Sequence, residues 1–194
     1  MDASQFEIIL ASGSPRRQEF FRAMEISFQV KVIPVKEDYP PELNGIQIAQ
    51  HIVRQKAVPF LNDISENQLI ITADTVVWHD KKALGKPQNP EEAKKMLHSL
   101  SASTHDVITA VGFLQKEKWE SLYEVSKVSF APLPDDEIEA YIRSGSPMDK
   151  AGAYGIQDDF GIRNVTFIEG SYSNIIGLPV PQVLKKIKEI TVKN

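Results

Sequence analysis

The sequence predicts a mixed α/β fold, in which a twisted sheet is flanked by helices. Short apolar, β-branched segments alternate along the chain with longer segments whose apolar residues recur at helical spacing. The alternation lacks strict β-α-β regularity, because the strand-like segments Asp106–Leu114 and Trp119–Phe130 follow each other directly. This pair favours antiparallel strands within an otherwise alternating α/β sheet. We therefore expect a mixed sheet, whose strand order the sequence does not determine.

Three strands and two helices are predicted in the first half of the chain, and one of the strands begins a proline-rich segment. Phe6–Leu10 is a short apolar run typical of a buried strand, and a helix begins after it at Pro15. The segment 30–45 predicts a strand followed by a loop, because it contains several prolines. Ile46–Phe60 has helical spacing, and Leu69–Trp78 has the composition of a central strand.

The second half of the chain adds helices with clear start signals. Asn89 precedes Pro90, and this order predicts an N-cap followed by a helix that extends to Leu100. Acidic residues open another helix at Asp135, and Gly145 ends it. A strand is predicted at Asn164–Ile168. The apolar residues of 180–190 lie on one side of a basic terminal helix.

Composition restricts the function classes. The chain has 194 residues, enough for one domain or one domain with a small subdomain. A net charge of −4 disfavours a surface that coats nucleic acid, so any positive site has to be local. The absence of cysteine excludes disulfides, thiolate zinc sites and a cysteine nucleophile.

No targeting or membrane segment is recognisable in the sequence. The N-terminal segment MDASQFEIIL lacks both a basic region and a long apolar run, so we expect no secretory signal. No stretch approaches the roughly 18 apolar residues that span a bilayer. We therefore expect a soluble cytoplasmic protein with no membrane partner.

The segment LASGSPRR is electrostatically unusual. Ser14 and Pro15 predict a helix start, so Arg16 and Arg17 lie in the first turn, where cations are unfavourable by a few tenths to about 1 kcal/mol each. A strand that ends in a small-residue turn before a helix presents free N–H groups to an anion. Ser12 would add a hydroxyl donor, and the two guanidinium groups suit phosphate oxygens. Alternatively, the arginines pair with neighbours such as Glu19 or are solvated.

Asp74 lies within an otherwise apolar strand, in the segment ITADTVV. A buried carboxylate is costly unless it is paired, hydrogen-bonded or bound to a metal. One interpretation is a capping carboxylate at a strand end. The other is a general base or a magnesium ligand near a phosphate, with Thr75 contacting a base or a ribose.

Two lysines have both a structural and a functional interpretation. Lys56 shares the inward stripe of its helix with Ile52 and Phe60, and such a lysine usually extends its ammonium to water. It becomes a phosphate contact if it points to the same pocket as Asp74. Lys86 lies in a tight loop between Gly85 and Pro87, as a phosphate contact or as a solvated loop residue.

The segment DKAGAYGIQ, residues 149–157, combines a flexible backbone with one aromatic and one amide side chain. Gly152 and Gly155 permit close approach of a flat ligand, and Gln157 can bind a base edge with its donor and acceptor. Alternatively, the segment is a packed turn with Tyr154 in the core.

Together these motifs resemble the Maf family, also called septum-formation inhibitor-like proteins. The resemblance covers nearly the whole chain in the right order and is highly specific. The matching segments are LASGSPRR, QKA at 55–57, ADTVV at 73–77, LGKP at 84–87, DKAGAYGIQ and GSYSNIIGLPV at 170–180.

The resemblance implies a single domain over residues 1–194, with two lobes around a central cleft, as in the inosine triphosphate pyrophosphatases. It implies a homodimer that hydrolyses a nucleoside triphosphate to the monophosphate and pyrophosphate with a divalent cation, Mg²⁺ or Mn²⁺. The GAYGIQ form resembles the branch that acts on dTTP and UTP. The branch that favours 7-methyl-GTP has a different segment there.

The resemblance also implies roles for individual residues. Many members carry Asp-Glu where this chain has Lys36-Glu37, so Glu37 matches the acidic residue and Lys36 replaces its partner. Glu37 and Asp74 are the candidate metal ligands. The implied roles are proton acceptor for Asp74, substrate selectivity for Arg16, Thr75 and Gln157, and phosphate binding for Ser12, Arg17, Lys56 and Lys86.

Two other functions remain open. One is a pyrophosphatase for modified or purine nucleotides. The other is a regulator of cell division that binds a nucleotide or a partner without turnover, since phosphate binding needs no base. Asp74 on a buried strand favours an enzyme.

Overall fold

The computed structural model describes residues 6–192, which form two compact units. The first unit contains residues 6–74, 109–124 and 177–192. The second unit contains residues 75–108 and 125–176. Three long strands contribute residues to both units, so the chain passes between the units within strands rather than through a linker.

A seven-stranded mixed sheet has the order β2-β1-β3-β5-β6-β7, and β4 pairs with β3. β1 is parallel to β2 and to β3, whereas the β3–β4 and β6–β7 pairs are antiparallel. These directions confirm the predicted mixed sheet. The strands are β1 (Glu7–Leu10), β2 (Gln29–Val30), β3 (Gln68–His79), β4 (Lys82–Leu84), β5 (Thr104–Leu114), β6 (Trp119–Phe130) and β7 (Val165–Glu169).

The helices confirm the predicted mixed α/β class. Asn44 and Asn89 cap two of them, each accepting a hydrogen bond from a first-turn N–H group. The two shortest helices were not predicted, because five or six residues are too few to establish a helical period. The helices are α1 (Pro15–Ala23), α2 (Gly45–Ala57), α3 (Pro90–Leu100), α4 (Asp135–Arg143), α5 (Asp159–Asn164), α6 (Tyr172–Ile176) and α7 (Val180–Val192).

The first unit has an apolar core formed by its strands and three helices. Phe21 of α1 is fully buried against β1 and β3, and its ring lies 5.3 Å from that of Phe28. Val183 and Ile187 of α7 belong to the same cluster. Ala57 at the end of α2 packs with β1 and β3 in a neighbouring cluster. Burial of these apolar faces is the main favourable contribution to folding of this unit.

The second unit has a core rich in aromatic rings. Leu97 of α3 and Ile138 of α4 are fully buried in it. Tyr141 of α4 stacks on Phe160 of α5 with 4.3 Å between ring centroids and 4° between planes. Helices α3, α4 and α5 therefore all contribute side chains to this core.

Three details of the sequence prediction are wrong. Only Gln29–Val30 forms a strand near the segment 30–45, and it ends four residues before the first proline, Pro34. Ser14 occupies the N-cap position of α1, but its side chain makes no capping hydrogen bond. The helix predicted to Phe60 ends at Ala57 and continues as a 3₁₀ turn over Val58–Phe60, because Pro59 has no N–H group to extend the α-helical hydrogen bonds.

Within residues 6–192, none of the helices combines the length and the apolar character that crossing a membrane requires.

Candidate active site

The turn between β1 and α1 holds the first part of the candidate site. Ser12 is buried, and its Oγ accepts a hydrogen bond from Nη1 of Arg17 at 3.1 Å. Nε of Arg17 donates to the carbonyl oxygen of Gly177 at 2.9 Å. Arg17 therefore connects this turn to the segment before α7, besides placing a positive charge at the helix start.

The charge of Arg17 lies among other charged groups. Burial lowers the pKa of its guanidinium, the carboxylates of Asp74 and Glu37 raise it, and the neighbouring Arg16 lowers it. An arginine stays protonated in spite of such effects. The structure thus brings two predicted anion-binding arginines and two predicted acidic residues into electrostatic contact within the first unit.

The side chain of Lys56 does not extend its ammonium to water, the usual arrangement for a lysine on the inward side of a helix. Its side chain is 17% exposed, and Nζ lies 2.7 Å from Oδ1 of Asp74 and 3.0 Å from Oε1 of Glu37. Helix α2 directs it this way because the helix packs on β3, where Oγ1 of Thr72 donates to the carbonyl oxygen of Val53 at 2.9 Å. One ammonium therefore joins two carboxylates that lie far apart in sequence.

Asp74 lies in the middle of β3, which continues to His79, so the capping interpretation at a strand end is wrong. The side chain is 14% exposed and is compensated by Lys56. A paired carboxylate of this kind is tolerated inside an apolar strand, whereas an unpaired one is costly.

Gln55 is a site residue that the sequence reasoning did not identify. Its Nε2 donates to the carbonyl oxygen of Asp38 at 2.8 Å, which ties the segment carrying Glu37 to α2. Its buried Oε1 has no hydrogen-bond partner among residues 6–192. The sequence signals were its place in the matching segment QKA and beside Lys56, because a contact with a loop carbonyl leaves no sequence pattern of its own.

The donor set suits a cation held jointly with a phosphate. Magnesium typically binds one or two carboxylates, with phosphate oxygens and water as its other ligands. Glu37 and Asp74 supply two carboxylates, and both already attract the ammonium of Lys56. In the part of the chain that the structure describes, His, Asp and Glu form no group of three or more that could hold a metal ion.

The other predicted residues belong to the second unit. Thr75 follows Asp74 in β3 and is half-buried, whereas Lys86 and Gln157 are exposed. The motifs LGKP and DKAGAYGIQ contact each other, because the N–H of Gly152 donates to the carbonyl oxygen of Gly85 at 3.1 Å. The structure therefore brings two predicted motifs together in this unit.

Tyr154 is a core residue, which confirms the packed-turn interpretation for this side chain. It is buried, and its hydroxyl lies 2.7 Å from Nε2 of His105. Its ring also packs edge-on against Phe130, with 4.9 Å between centroids. Gln157 is nevertheless exposed, so one segment combines a buried anchor with an accessible amide.

Comparison with known proteins places this chain in a family. The family model described as "Maf-like protein" matches residues 7–190. The dTTP/UTP pyrophosphatase of Flavobacterium johnsoniae is 48% identical over 179 residues, with 92% of each chain covered. That of Christiangramia forsetii is 46% identical over 184 residues, with 95% of this chain and 94% of the relative covered.

Among solved structures, this chain is similar to the Staphylococcus aureus Ham1 protein. The superposition covers 64% of this chain and 72% of the Ham1 chain, with 12% identity and a TM-score of 0.48. The family match and the two relatives confirm the resemblance predicted from the motifs. The motifs occur in the family order, and the family model matches nearly the whole chain. This chain therefore belongs to the Maf-like protein family.

Proposed function

We propose that this protein is a nucleoside triphosphate pyrophosphatase that hydrolyses dTTP and UTP to the monophosphate and pyrophosphate. The observation that carries the proposal is the ammonium of Lys56 between Asp74 and Glu37, with the half-buried Arg17 in electrostatic contact with both carboxylates. Positive charge and carboxylates meet in this way where a polyphosphate is bound and a water molecule is activated. The shared name of the relatives supports the choice of substrate.

The turn between β1 and α1 would bind the phosphates. Its helix N-terminus presents N–H groups, and Arg16 and Arg17 offset the charge of the nucleotide. Because Arg17 is held by Gly177 and Ser12, its guanidinium has a defined direction before substrate binds. Preorganised positive charge of this kind stabilises the developing charge of a phosphoryl-transfer transition state.

Asp74 would orient the attacking water and accept its proton as the oxygen approaches the α-phosphorus. Lys56 holds the carboxylate in place, and it becomes a phosphate contact when the triphosphate is present. The leaving group is pyrophosphate. This assignment agrees with the proton-acceptor role that the family resemblance implies for Asp74.

A divalent cation, Mg²⁺ or Mn²⁺, is part of the proposal. When bound, it would neutralise phosphate charge and polarise the bond to be cleaved. Glu37 and Asp74 would hold it, with the substrate supplying other oxygens. Gln55 would keep Glu37 near α2 through its hydrogen bond to Asp38.

The remaining assignments stay predictions from the sequence motifs and the resemblance. They are contact of Thr75 with a base or a ribose, of Lys86 with phosphate and of Gln157 with the base. The arrangement of one domain with two lobes, the homodimer and the cytoplasmic location also stay predictions. Light scattering of the purified protein measures the oligomeric state directly.

The test is a panel of nucleoside triphosphates incubated with the purified protein and Mg²⁺. We expect pyrophosphate and the monophosphate as products, with the highest kcat/KM for dTTP and UTP. Release of orthophosphate and a diphosphate would contradict the proposed bond cleavage.

The same panel separates the two alternative functions. A preference for 7-methyl-GTP or a purine analogue would show a pyrophosphatase for modified nucleotides. Binding of dTTP in calorimetry without any pyrophosphate release would show a nucleotide-binding regulator. Chelation of the metal with EDTA should abolish turnover and leave the folded state, measured by circular dichroism, unchanged.

A further inference from the structure

The hydroxyl of Tyr141 links two positions that flank Gln157. It donates a hydrogen bond to Oδ2 of Asp158 at 2.5 Å and accepts one from the N–H of Gly155 at 3.1 Å. Tyr141 is only 8% exposed, and its ring is fixed by stacking on Phe160. A single rigid group in α4 therefore contacts the chain on both sides of Gln157.

Asp158 has further partners that fix its own position. Its Oδ2 accepts a hydrogen bond from Oγ of Ser146 at 2.7 Å and lies 3.5 Å from Nζ of Lys150. The Lys150 side chain is only 12% exposed. A carboxylate with two hydroxyl donors and a nearby ammonium has its charge compensated and its rotation restricted.

Close packing restricts the same segment. A Cβ atom added at Gly155 would lie 2.7 Å from Oδ1 of Asp158 and 2.8 Å from Cε of Lys150. One added at Gly161 would lie 2.2 Å from the carbonyl oxygen of Gly155. The backbone on both sides of Gln157 is therefore closely packed against neighbouring residues.

The protonation state of Tyr141 suits this role. Burial and the adjacent carboxylate of Asp158 raise the pKa of Tyr141 above its ordinary value. The phenol therefore keeps its proton at neutral pH and continues to donate to Asp158.

We propose that Tyr141 is a positioning residue that sets the base selectivity of the enzyme by fixing the backbone on both sides of Gln157. The inference rests on the proposed function. An amide that turns freely matches uracil and cytosine equally, because its oxygen and its NH₂ group exchange places. Uracil and cytosine differ at one ring position on the base edge that the amide would contact. Thymine and uracil carry an acceptor oxygen there, whereas cytosine carries an amino donor. A fixed backbone lets Gln157 favour one pattern.

The test compares Tyr141→Phe with the wild-type protein on dTTP, UTP, dCTP and CTP. We expect kcat for dTTP to stay within about twofold, since Tyr141 does not touch the reacting atoms. KM for dTTP should rise and the preference for dTTP over dCTP should fall, each by roughly three- to tenfold, the value of one lost hydrogen bond. Tyr172→Phe is the matched control, because Tyr172 is 50% exposed in the same unit.

Two further variants keep the test decisive if Tyr141→Phe does not fold. Asp158→Asn retains an acceptor for the phenol and should keep the preference for dTTP, whereas Asp158→Ala should lose it. If the wild-type protein hydrolyses dTTP and all folded variants keep its base preference, the positioning role is wrong and the proposed function stands. If the wild-type protein releases no pyrophosphate from dTTP, the proposed function and this inference are both wrong.

Discussion

Lys56 and Asp74, 18 positions apart in the chain, form an ion pair with 2.7 Å between Nζ and Oδ1. The side chains are 17% and 14% exposed, so each charge depends on the other for compensation. Loss of one partner from such a pair leaves an uncompensated charge, whereas loss of both removes the desolvation cost as well. The pair therefore links the stability of the first unit to the proposed chemistry.

Replacement of the proposed base should separate turnover from binding. We expect Asp74→Asn to lower kcat for dTTP at least about a hundredfold, the usual contribution of a general base. Binding of a non-hydrolysable dTTP analogue, measured by calorimetry without a divalent cation because Asp74 is also a proposed metal ligand, should change little. The exposed Asp63 supplies the control Asp63→Asn. Wild-type turnover in Asp74→Asn would show that another group accepts the proton.

Removal of the ammonium should destabilise the protein more than removal of the whole pair. Lys56→Met leaves two carboxylates close together, and we expect the free energy of unfolding to fall by about 3 kcal/mol. The double variant Lys56→Met/Asp74→Leu should recover part of this loss in urea denaturation. Lys185→Met on the exposed face of α7 is the control. Additive losses would mean that the pair contributes no coupling energy.

Arg17 should not tolerate lysine. An ammonium cannot reproduce the two directed hydrogen bonds to Gly177 and Ser12, so we expect Arg17→Lys to cost about 1–3 kcal/mol of stability and to raise KM for dTTP. Arg22→Lys on the exposed side of the same helix should leave both quantities unchanged. Equal melting temperatures for the two variants would contradict the structural role of Arg17.

His105 should make the protein acid-sensitive. Burial, and to a lesser extent His79, lower the pKa of His105 to about 3, so the folded state keeps this imidazole neutral while the unfolded state protonates it near pH 6.5. The stability contribution is complete above about pH 6.5 and is lost as the pH falls toward 3, with a slope of up to about 1.4 kcal/mol per pH unit.

Thermal melts between pH 7 and pH 4 check this dependence. His105→Gln retains a partner for the hydroxyl of Tyr154 and removes the titrating group, so its melting temperature should vary less with pH. His98→Gln, at a 41% exposed position, should keep the wild-type dependence. Identical pH profiles for wild type and His105→Gln would assign the acid sensitivity to other groups.

Gly152 should resist substitution by any residue with a side chain. Its φ is +69°, and an added Cβ would lie 3.0 Å from both methyl groups of Val77. We expect Gly152→Ala to lower the free energy of unfolding by about 1–3 kcal/mol in chemical denaturation. Gly85→Ala is the matched control, because an added Cβ there meets open space. A loss no larger than that of the control would show that the backbone relaxes freely.

Local patterns account for most of the secondary structure that could be predicted. The Asn89-Pro90 start predicts α3 because capping involves only residues within one helical turn. The apolar, β-branched composition of Leu69–Trp78 predicts β3 within two residues at its ends. The helix start predicted at Ser14 and Pro15 is confirmed for the same reason, although the side chain of Ser14 makes no capping hydrogen bond.

The sequence by itself determined the fold class, the order of the main elements, the family and the residue types of the site. Only the tertiary structure decided that Lys56 turns to Asp74, that Gln55 holds the segment of Glu37, and that Tyr141 holds the chain around Gln157. Periodicity and capping depend on neighbours a few positions away. These contacts join residues 14 to 18 positions apart, so their distances depend on how helices pack on the sheet and on the short turns near them.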